Sequence, residues 1–313
     1  MEEAPLRRLM NPLFTPRALE AHRPRVEAIV RAVLDDLPAE GLLDLARDFS
    51  RRYPVRVIAG LLNIPAGHED LFVDLADALI ATILPGLPPE VFAGHMPVIS
   101  RGAALLRDLI AERRERPLDH DLFTDLIRAC DQDDRLSDDE LFSLVAALLV
   151  GGSDTTVSLT SYAVLELLRH PDQLARLRAD PGLVRTALDE TLRYNQFGRQ
   201  GLVRFAAEDF EYEGVPLRRG QPVYVNTLSA FRDPELCADA DTYDIGRQLN
   251  MSPWFGWGPH FCLGASLARM EAGIALLALL ERYPRIELAG DPVYGNHPVL
   301  RDMRSLPLRV GPR

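Results

Sequence analysis

The segment Phe255-Gly-Trp-Gly-Pro-His-Phe-Cys-Leu-Gly264, followed at once by an apolar helical pattern, limits the possible folds more than any other part of the chain. Its glycines permit tight backbone turns and a close approach to a flat ligand. Cys262 lies just before the helix predicted for Leu263 to Tyr283, where the positive end of the helix dipole favours a thiolate. His260 can donate a hydrogen bond to a carboxylate of the same ligand. The segment therefore predicts a loop that presents sulfur to a flat ligand.

A simpler interpretation makes Cys262 a small buried apolar residue, as most isolated cysteines are. That alternative leaves the glycines, the histidine and the following helix unexplained. Cys130 and Cys237 lie far from Cys262 and show no metal-ligand spacing, so we expect them to be structural. An odd number of widely separated cysteines predicts no disulfide framework and a reducing compartment.

Helical apolar spacing dominates the rest of the chain and predicts a mainly α fold with a minor β region in a single domain over residues 1–313. The predicted helices cover about Pro16 to Leu37, Glu40 to Ile64, Glu69 to Ile83 and Val91 to Arg114. Ser137 and Glu140 form a capping box that begins a long apolar helix, which Pro171 ends. Short strands are predicted around 203–205, 211–214, 222–225, 285–288 and 306–310.

The polar segment Gly151-Gly-Ser-Asp-Thr-Thr156 interrupts that long apolar helix. An acid and a hydroxyl inside a buried helix are costly unless they are used. A threonine there can donate to a carbonyl of the previous turn and open the helix locally. The segment is either a functional opening or a helix kink with a satisfied threonine.

These segments resemble the cytochrome P450 family. The pattern Phe-Gly-x-Gly-x-His/Arg-x-Cys-x-Gly is matched at every named position, and Gly-Gly-x-Asp-Thr is similar to the family's oxygen-activation motif. The resemblance implies haem b with Cys262 as the iron ligand, and Asp154 and Thr155 as the residues that direct protons to dioxygen. The remaining residues implied to bind the cofactor are Phe255, Gly256, Gly264, His260, Arg204 and Arg7. Glu3 occupies the place of a family histidine that accompanies Arg7.

Glu190 and Arg193 are three residues apart and therefore share a helix face. Alone, such a pair is typical of a solvated surface. The resemblance implies that the pair is buried, structural and completed by Arg247.

The resemblance also implies a monooxygenase that acts on a small, moderately hydrophobic substrate with O2. Electrons would come from a ferredoxin-type donor with its reductase, which docks on the cysteine side. The pocket is expected to be lined by Leu71 to Leu84, Leu144 to Leu149 and Asn195 to Val203. The chain begins where family members have already formed several helices and most of one sheet, so we expect these to be lacking. The alternatives are a truncated, catalytically impaired haem-binding remnant and a helical interaction protein without a cofactor.

Composition narrows the class of partners. The net charge of −11 opposes binding to nucleic acid. The N-terminus has no apolar signal-peptide core, and the longest uninterrupted apolar runs, such as Ala272 to Leu280, are too short to span a bilayer. We therefore predict a soluble, cytoplasmic protein with no membrane partner.

Overall fold

The computed structural model describes residue 7 and residues 10–83, 88–119, 121–131, 137–195, 201–249, 254–295 and 300–312. Its α-helices are α1 (Pro16–Glu20), α2 (Arg23–Asp35), α3 (Tyr53–Leu61), α4 (Glu69–Ile83), α5 (Pro89–Glu115), α6 (Leu122–Asp131), α7 (Asp138–Gly152), α8 (Asp154–Arg169), α9 (Pro171–Ala179), α10 (Val184–Tyr194), α11 (Thr227–Phe231) and α12 (Ala265–Arg282). Short 3₁₀ turns span Asn11–Phe14, Pro181–Leu183 and Gly258–His260, and a π-helical turn spans Ala46–Ser50. The predicted mainly α fold is confirmed.

Short strands make up the minor β region. They are β1 (Gly41–Asp44), β2 (Leu202–Phe205), β3 (Phe210–Tyr212), β4 (Val215–Leu217), β5 (Pro222–Val225), β6 (Arg285–Leu288), β7 (Val293–Tyr294), β8 (Met303–Ser305) and β9 (Pro307–Gly311). Strand β9 lies between β1 and β6, and Val310 is opposite both Gly41 and Ile286 in these antiparallel pairs. The strands β2 and β5, β3 and β4, and β7 and β8 form three further antiparallel pairs.

The helix predicted over Glu40 to Ile64 is wrong at its start. Residues 41–44 form β1, which pairs with β9, and helix α3 begins only at Tyr53. Gly41 has a φ of +112°, which side-chain-bearing residues rarely adopt and which fits a turn into a strand. Pairing with a strand near the other end of the chain does not change the apolar spacing within residues 40–64. That spacing alone therefore could not predict β1.

The helix predicted over Pro16 to Leu37 is divided into α1 and α2. Pro24 lies in the first turn of α2, where its missing N–H costs no helical hydrogen bond. The capping box at Ser137 is present: the Glu140 N–H donates to Ser137 Oγ at 3.3 Å, and the Ser137 N–H donates to Glu140 Oε2 at 2.9 Å. The sequence therefore locates the start of α7 correctly.

Helices α8 and α12 pass through the centre of the hydrophobic core. Every side chain of α8 from Thr156 to Leu167 is buried. Helix α12 packs against α8, α10 and α2 and buries Leu276 and Leu279 completely. Burying one leucine side chain contributes about 1.5–3 kcal/mol, so this pair of helices is a well-stabilised framework for a site between them.

The stretch Asp138–Arg169, formed by α7 and α8, is long and apolar enough to cross a membrane by length and composition alone. The sequence prediction considered only apolar runs without polar residues and therefore did not include this stretch. The stretch is weak evidence for a membrane span, since a core helix passes the same test and 44% of the apolar window is buried within the protein.

Candidate functional site

A cavity of about 520 Å³ lies between the α7–α8 pair and the loop that leads into α12. Most of its lining is aliphatic, including Ile58, Leu144, Leu148, Leu159, Leu263 and Leu267. Apart from the indole of Trp254, the polar or ionisable side chains of the described lining are those of Arg7, Thr155, Thr156, Cys262 and Glu271. A concave apolar site with a few convergent polar groups is typical of a cofactor or substrate pocket.

The loop before α12 is shaped by glycine and closed by backbone hydrogen bonds. Gly256 and Gly258 have φ values of +70° and +69°, a region that favours glycine. The N–H of Cys262 donates to the carbonyl of Phe255 at 2.7 Å, and the N–H of Ala265 donates to the Cys262 carbonyl at 3.3 Å. These bonds hold Cys262 directly ahead of α12, in the position that the sequence predicts.

Gly264 has a different role from the two turn glycines. Its φ is −80°, so no tight turn requires glycine there. It lines the cavity, and a Cβ built on it would meet no atom within 4 Å. Gly151 lines the cavity from α7, and a Cβ built on it would likewise meet no atom within 4 Å. The missing side chains at these two positions leave room for a flat ligand.

Burial raises the pKa of the Cys262 thiol, and this effect outweighs the groups that favour the thiolate. The N–H of Gly264, the charges of Arg7 and Arg269, and the N–H of Ala265 act in the opposite direction. The helix dipole and the nearby N–H groups, on which the sequence prediction of a thiolate rests, are outweighed by burial, which the sequence does not show. A metal cation at the sulfur would reverse the balance, because its charge stabilises the thiolate directly.

The basic residues predicted to bind the carboxylates of the cofactor lie in different surroundings. Arg7 lines the cavity, and its guanidinium donates to the carbonyl of Phe261 in the cysteine loop. Arg204 is exposed on β2 and donates to the carbonyl of the preceding residue at 2.9 Å. His260 is exposed in the turn before Cys262. The structure thus brings Arg7 to the cavity, whereas Arg204 and His260 lie outside its lining, and Glu3 lies outside the described residues.

The central helix opens at Ser153, between α7 and α8. Ser153 has φ −80° and ψ −86°, and its Oγ donates to the carbonyl of Leu149 at 2.5 Å. Thr155 Oγ1 donates to the carbonyl of Gly151, also at 2.5 Å. Such side-chain bonds compete with the helical backbone bonds and bend the helix. The predicted bond from Thr155 to the previous turn is confirmed.

Asp154 and Thr155 face different surroundings despite being adjacent. Thr155 lines the cavity, whereas Asp154 is outside the lining, with its Oδ1 3.7 Å from Nη1 of Arg51. Arg51 also lies 3.9 Å from Oδ2 of Asp302. The acid predicted to relay protons is therefore an ion-paired carboxylate beside the helix opening. The sequence analysis missed Arg51, because nothing near it in the sequence indicates this contact.

Glu190, Arg193 and Arg247 meet in a buried cluster away from the cavity lining. Nε of Arg193 is 2.6 Å from Glu190 Oε2, and Nε of Arg247 is 3.3 Å from Glu190 Oε1. The backbone carbonyls that Arg193 contacts are those of Phe231, Ala240 and Thr242. The cluster therefore attaches the irregular region after β5 to helix α10, and its surroundings fit an architectural role.

The predicted pocket walls are only partly correct. The cavity lining includes Leu144 and Leu148 from α7, and Gly201 and Leu202. The prediction for Leu71 to Leu84 is wrong in its described part, which contributes no residue to the lining. Leu75 packs instead against Gly102 of α5, where a Cβ would lie 2.6 Å from the leucine side chain. Residues 84 and 196–200 lie outside the described residues.

Glu271, on α12, is the buried carboxyl that the sequence analysis missed. It is 1% exposed and lines the cavity, and its Oε1 accepts a hydrogen bond from Thr156 Oγ1 at 3.1 Å. Burial raises the pKa of this carboxyl well above its ordinary value. The available signal was an acid inside an otherwise apolar helix, the same signal that drew attention to Asp154.

Comparison with known proteins decides the family. A family model described as Cytochrome P450 matches residues 72–292. The chain belongs to the cytochrome P450 family. The epothilone C/D epoxidase of Sorangium cellulosum is 38% identical to this P450, over 99% of this chain and 75% of the relative. Cytochrome P450 107B1 of Saccharopolyspora erythraea is 39% identical, over 98% of this chain and 74% of the relative.

Solved structures agree with this assignment. Epothilone D-bound cytochrome P450epoK superposes with a TM-score of 0.91 at 38% identity, covering 99% of this P450 and 78% of that chain. This P450 thus spans about three quarters of the length of these relatives. Family members bind haem b, and the relatives include a 6-deoxyerythronolide B hydroxylase. The chain is a haem-binding cytochrome P450 monooxygenase.

The observed cavity fits haem. Its lining is mostly apolar and contains one cysteine and one arginine among the described residues. Gly151 and Gly264 also line it, and their missing side chains leave room for a planar ring. The sequence reasoning found the cysteine, the arginine and the threonine of this site.

Proposed function

We propose that this P450 uses Cys262 as the thiolate ligand of the haem iron and inserts one oxygen atom of O2 into a small, moderately hydrophobic organic substrate. The observation that carries the proposal is that Cys262 and Thr155 line the same apolar cavity from two different elements. When bound, haem supplies the activation of dioxygen, which thiolate ligation favours. The chain itself supplies binding, orientation and control of protons.

The residues around Cys262 hold the cofactor. Phe255 is buried beneath the guanidinium of Arg269, whose Cζ is 4.4 Å from the ring centroid, and so forms a firm wall. Gly256 shapes the loop and Gly264 leaves space for the porphyrin. Arg7 binds a propionate from within the cavity, since buried carboxylates need a cation.

Arg204 and His260 bind the propionates from the edge of the site. Arg204 follows Leu202, which lines the cavity, by two positions on β2. His260 precedes Cys262 by two positions in the cysteine loop. Because both side chains are exposed and outside the cavity lining, each would turn towards the ligand when the ligand binds.

Thr155 and Asp154 control protons at the helix opening. Thr155 lines the cavity, where its hydroxyl, which donates to the Gly151 carbonyl, would hold a proton close to dioxygen. Asp154 lies beside the opening, where its carboxylate is held by Arg51 and can exchange protons with water.

The substrate is proposed to be a complex natural product of low polarity. The α7 wall of the cavity presents Leu144, Ala147 and Leu148, which favour apolar contact over hydrogen bonding. Relatives are named for epothilone, 6-deoxyerythronolide B and mycinamicin IV, which supports this class of substrate.

The electron donor is proposed to be a ferredoxin-type protein with its own reductase. A surface groove of about 440 Å³ runs along α12, which directly follows Cys262. Its lining includes the apolar residues Met270, Ile274 and Leu277, the arginines Arg23, Arg31, Arg185 and Arg269, and the acids Glu20, Glu27 and Glu281. The exposed arginines of this lining, such as Arg185, suit an acidic protein that must approach the helix after the cysteine loop.

The whole chain is proposed to be one domain over residues 1–313, soluble and cytoplasmic. One hydrophobic core cluster extends from Met10 to Val310, which supports a single folding unit. The net charge of −11 disfavours nucleic acid as a partner.

The function is tested by reducing the purified protein, adding carbon monoxide and recording the absorption spectrum. A Soret band with the shift of thiolate-ligated haem is expected. A haem band without that shift would support the impaired remnant, and the absence of haem would support a cofactor-free interaction protein.

A further inference from the structure

Exposed large apolar side chains are concentrated in one short stretch of the chain. Of the seventeen such side chains among the described residues, seven lie between residues 203 and 225, where β2 to β5 follow one another. Large apolar patches on a protein surface mark sites of interaction. Six of these residues are here called the ribbon patch: Val203, Phe205, Phe210, Tyr212, Val215 and Tyr224.

The β2–β5 pair has one face towards the cavity and one face towards solvent. Val203 lies opposite Tyr224, so the two side chains share a face, and Phe205 lies on that face two positions further along β2. Phe205 is 69% exposed and Tyr224 is 56% exposed. Leu202 lies on the other face and lines the cavity. The ribbon-patch face of this pair is therefore directed away from the cavity.

The β3–β4 pair continues the same ribbon and also has an apolar face. Tyr212 lies opposite Val215, and Phe210 lies two positions from Tyr212 on the same face. The two pairs are connected by a hydrogen bond in which the Ala206 N–H donates to the Gln221 carbonyl at 3.0 Å. Within the described part of the chain, each pair has only two strands. A pair of this kind is marginally stable in water, so a further layer over its apolar face would stabilise it.

The ribbon patch is large enough to form a stable interface. Phenylalanine and tyrosine side chains can each bury about 150–250 Å², so its four aromatic residues, which are 43–69% exposed, present roughly 500 Å² per copy. Val203 and Val215 add further apolar area. Standard interfaces bury about 800 Å² per partner, including a polar rim. The patch with its surrounding polar residues approaches this size.

The charge of the ribbon favours a second copy of this chain as the occupant. Residues 202–225 contain four acids and three arginines, which gives a net charge of −1, whereas the whole chain carries −11. Two copies of an acidic chain repel each other least where they meet through a nearly neutral region. A two-fold axis also brings the same mixture of acids and arginines together from both copies, so that opposite charges can pair at the rim.

We propose that the ribbon patch is the interface of a two-fold symmetric dimer of this chain. The β2–β5 face of one copy packs on the same face of the other, and the contact extends onto β3–β4. Each copy thereby supplies the missing apolar layer of its partner. Because Leu202 lies on the opposite face of β2, the dimer also stabilises one wall of the cavity. The dimer needs neither haem nor an electron donor, so it is independent of the proposed function.

The first test is the mass of the full-length protein in solution, measured by analytical ultracentrifugation at micromolar concentration. The unmodified protein is expected to have the mass of two chains. Phe205→Lys and Tyr224→Lys should each raise the dissociation constant by about ten-fold or more, because a lysine is costly to bury without a partner. Val293→Lys is the matched control, since Val293 is as exposed as Tyr224 but lies on β7. Circular dichroism checks that each variant is folded.

An unmodified protein with the mass of one chain would overturn the proposal and leave the patch to a different polypeptide. A dimer that is equally stable in the two patch variants and in Val293→Lys would also overturn it.

The second test locates the interface without a substitution. Amide hydrogen exchange in residues 202–225 is expected to slow as the protein concentration rises from low to high micromolar, because only the dimer protects the ribbon. Exchange in residues 41–44 of β1, which lie outside the ribbon, should not change. If the mass doubles while exchange in residues 202–225 stays constant, the copies associate through another surface and the proposal is wrong.

Discussion

At the residue scale, the informative side chains are those that are unusual for their surroundings. Cys262 stands out because glycines and a helix start accompany it, and Thr155 because it lies within an apolar helix. Glu271 obeys the same rule, because it is an acid within the apolar helical pattern of Leu263 to Tyr283, but the pattern alone does not show that it is buried. Its burial follows from packing against α8, which a single sequence does not display.

The raised pKa of Glu271 predicts how stability depends on pH. A buried acid with a raised pKa contributes stability below its unfolded pKa of about 4.3, and this contribution is lost as pH rises through the folded pKa. The loss amounts to at most about 1.4 kcal/mol per pH unit for one group. The Glu271→Gln variant lacks this loss, so relative to the unmodified protein it should gain stability as pH rises from about 5 to about 8.

Urea unfolding at a series of pH values measures this difference. Tyr53 and Cys262 are present in both proteins, so their titration largely cancels. Parallel curves of unfolding free energy against pH for the two proteins would contradict the prediction.

Gly151 offers a second prediction at this scale. A leucine at position 151 would project into the cavity, because a Cβ there meets no atom within 4 Å. The haem content of Gly151→Leu, measured per protein after reconstitution, should fall strongly while the helical content is kept. Gly94→Leu is the control, since Gly94 is also uncrowded but lies on an exposed face of α5. Full haem occupancy in Gly151→Leu would show that this wall does not face the cofactor.

At the element scale, the sequence predicts helices well where their signals are local. The capping box before α7 and the polar segment that opens the helix at Ser153 both depend on residues within a few positions of one another. Strand β1 was missed because its stability comes from pairing with β9 at the far end of the chain. The exposure of Arg204 and His260 was also not predictable, because it depends on where separate elements meet.

The buried ion pairs of Glu190 with Arg193 and Arg247 connect separate elements, so removing one of them should lower the free energy of unfolding. Arg193→Ala should destabilise the protein by about 3–5 kcal/mol, because it leaves Glu190 buried without its partner. Arg218→Ala removes an exposed ion pair with Asp209, which water screens, and should cost far less stability. Urea unfolding of both variants checks the contrast. Similar small losses would mean that the buried pair carries no more energy than a surface pair.

At the scale of the whole molecule, the net charge and the local charge point in different directions. The chain is acidic overall, yet several arginines lie along the groove beside α12. Arg185 is exposed at this edge, so it is available to an approaching donor. The composition alone could not predict this surface, because it is assembled from α1, α2, α10 and α12.

Reversing one charge of this surface tests the docking site. Arg185→Glu should slow reduction of the haem by ferredoxin several-fold, with a smaller effect at high salt, because screening weakens the attraction in both proteins. Arg128→Glu, on α6, is the matched control, since Arg128 is exposed and outside the groove. Stopped-flow absorption measures the rates. Equal slowing by both variants would indicate a nonspecific effect of charge.

The most direct test of the account is the spectrum of Cys262→Ala after reduction and addition of carbon monoxide. The account predicts that this variant loses the thiolate-type Soret band, because no other described cysteine lines the cavity. Cys237→Ala, which removes a buried cysteine elsewhere, should keep the band unchanged. A Cys262→Ala protein with the same spectrum as the unmodified P450 would contradict the assignment of Cys262 as the iron ligand.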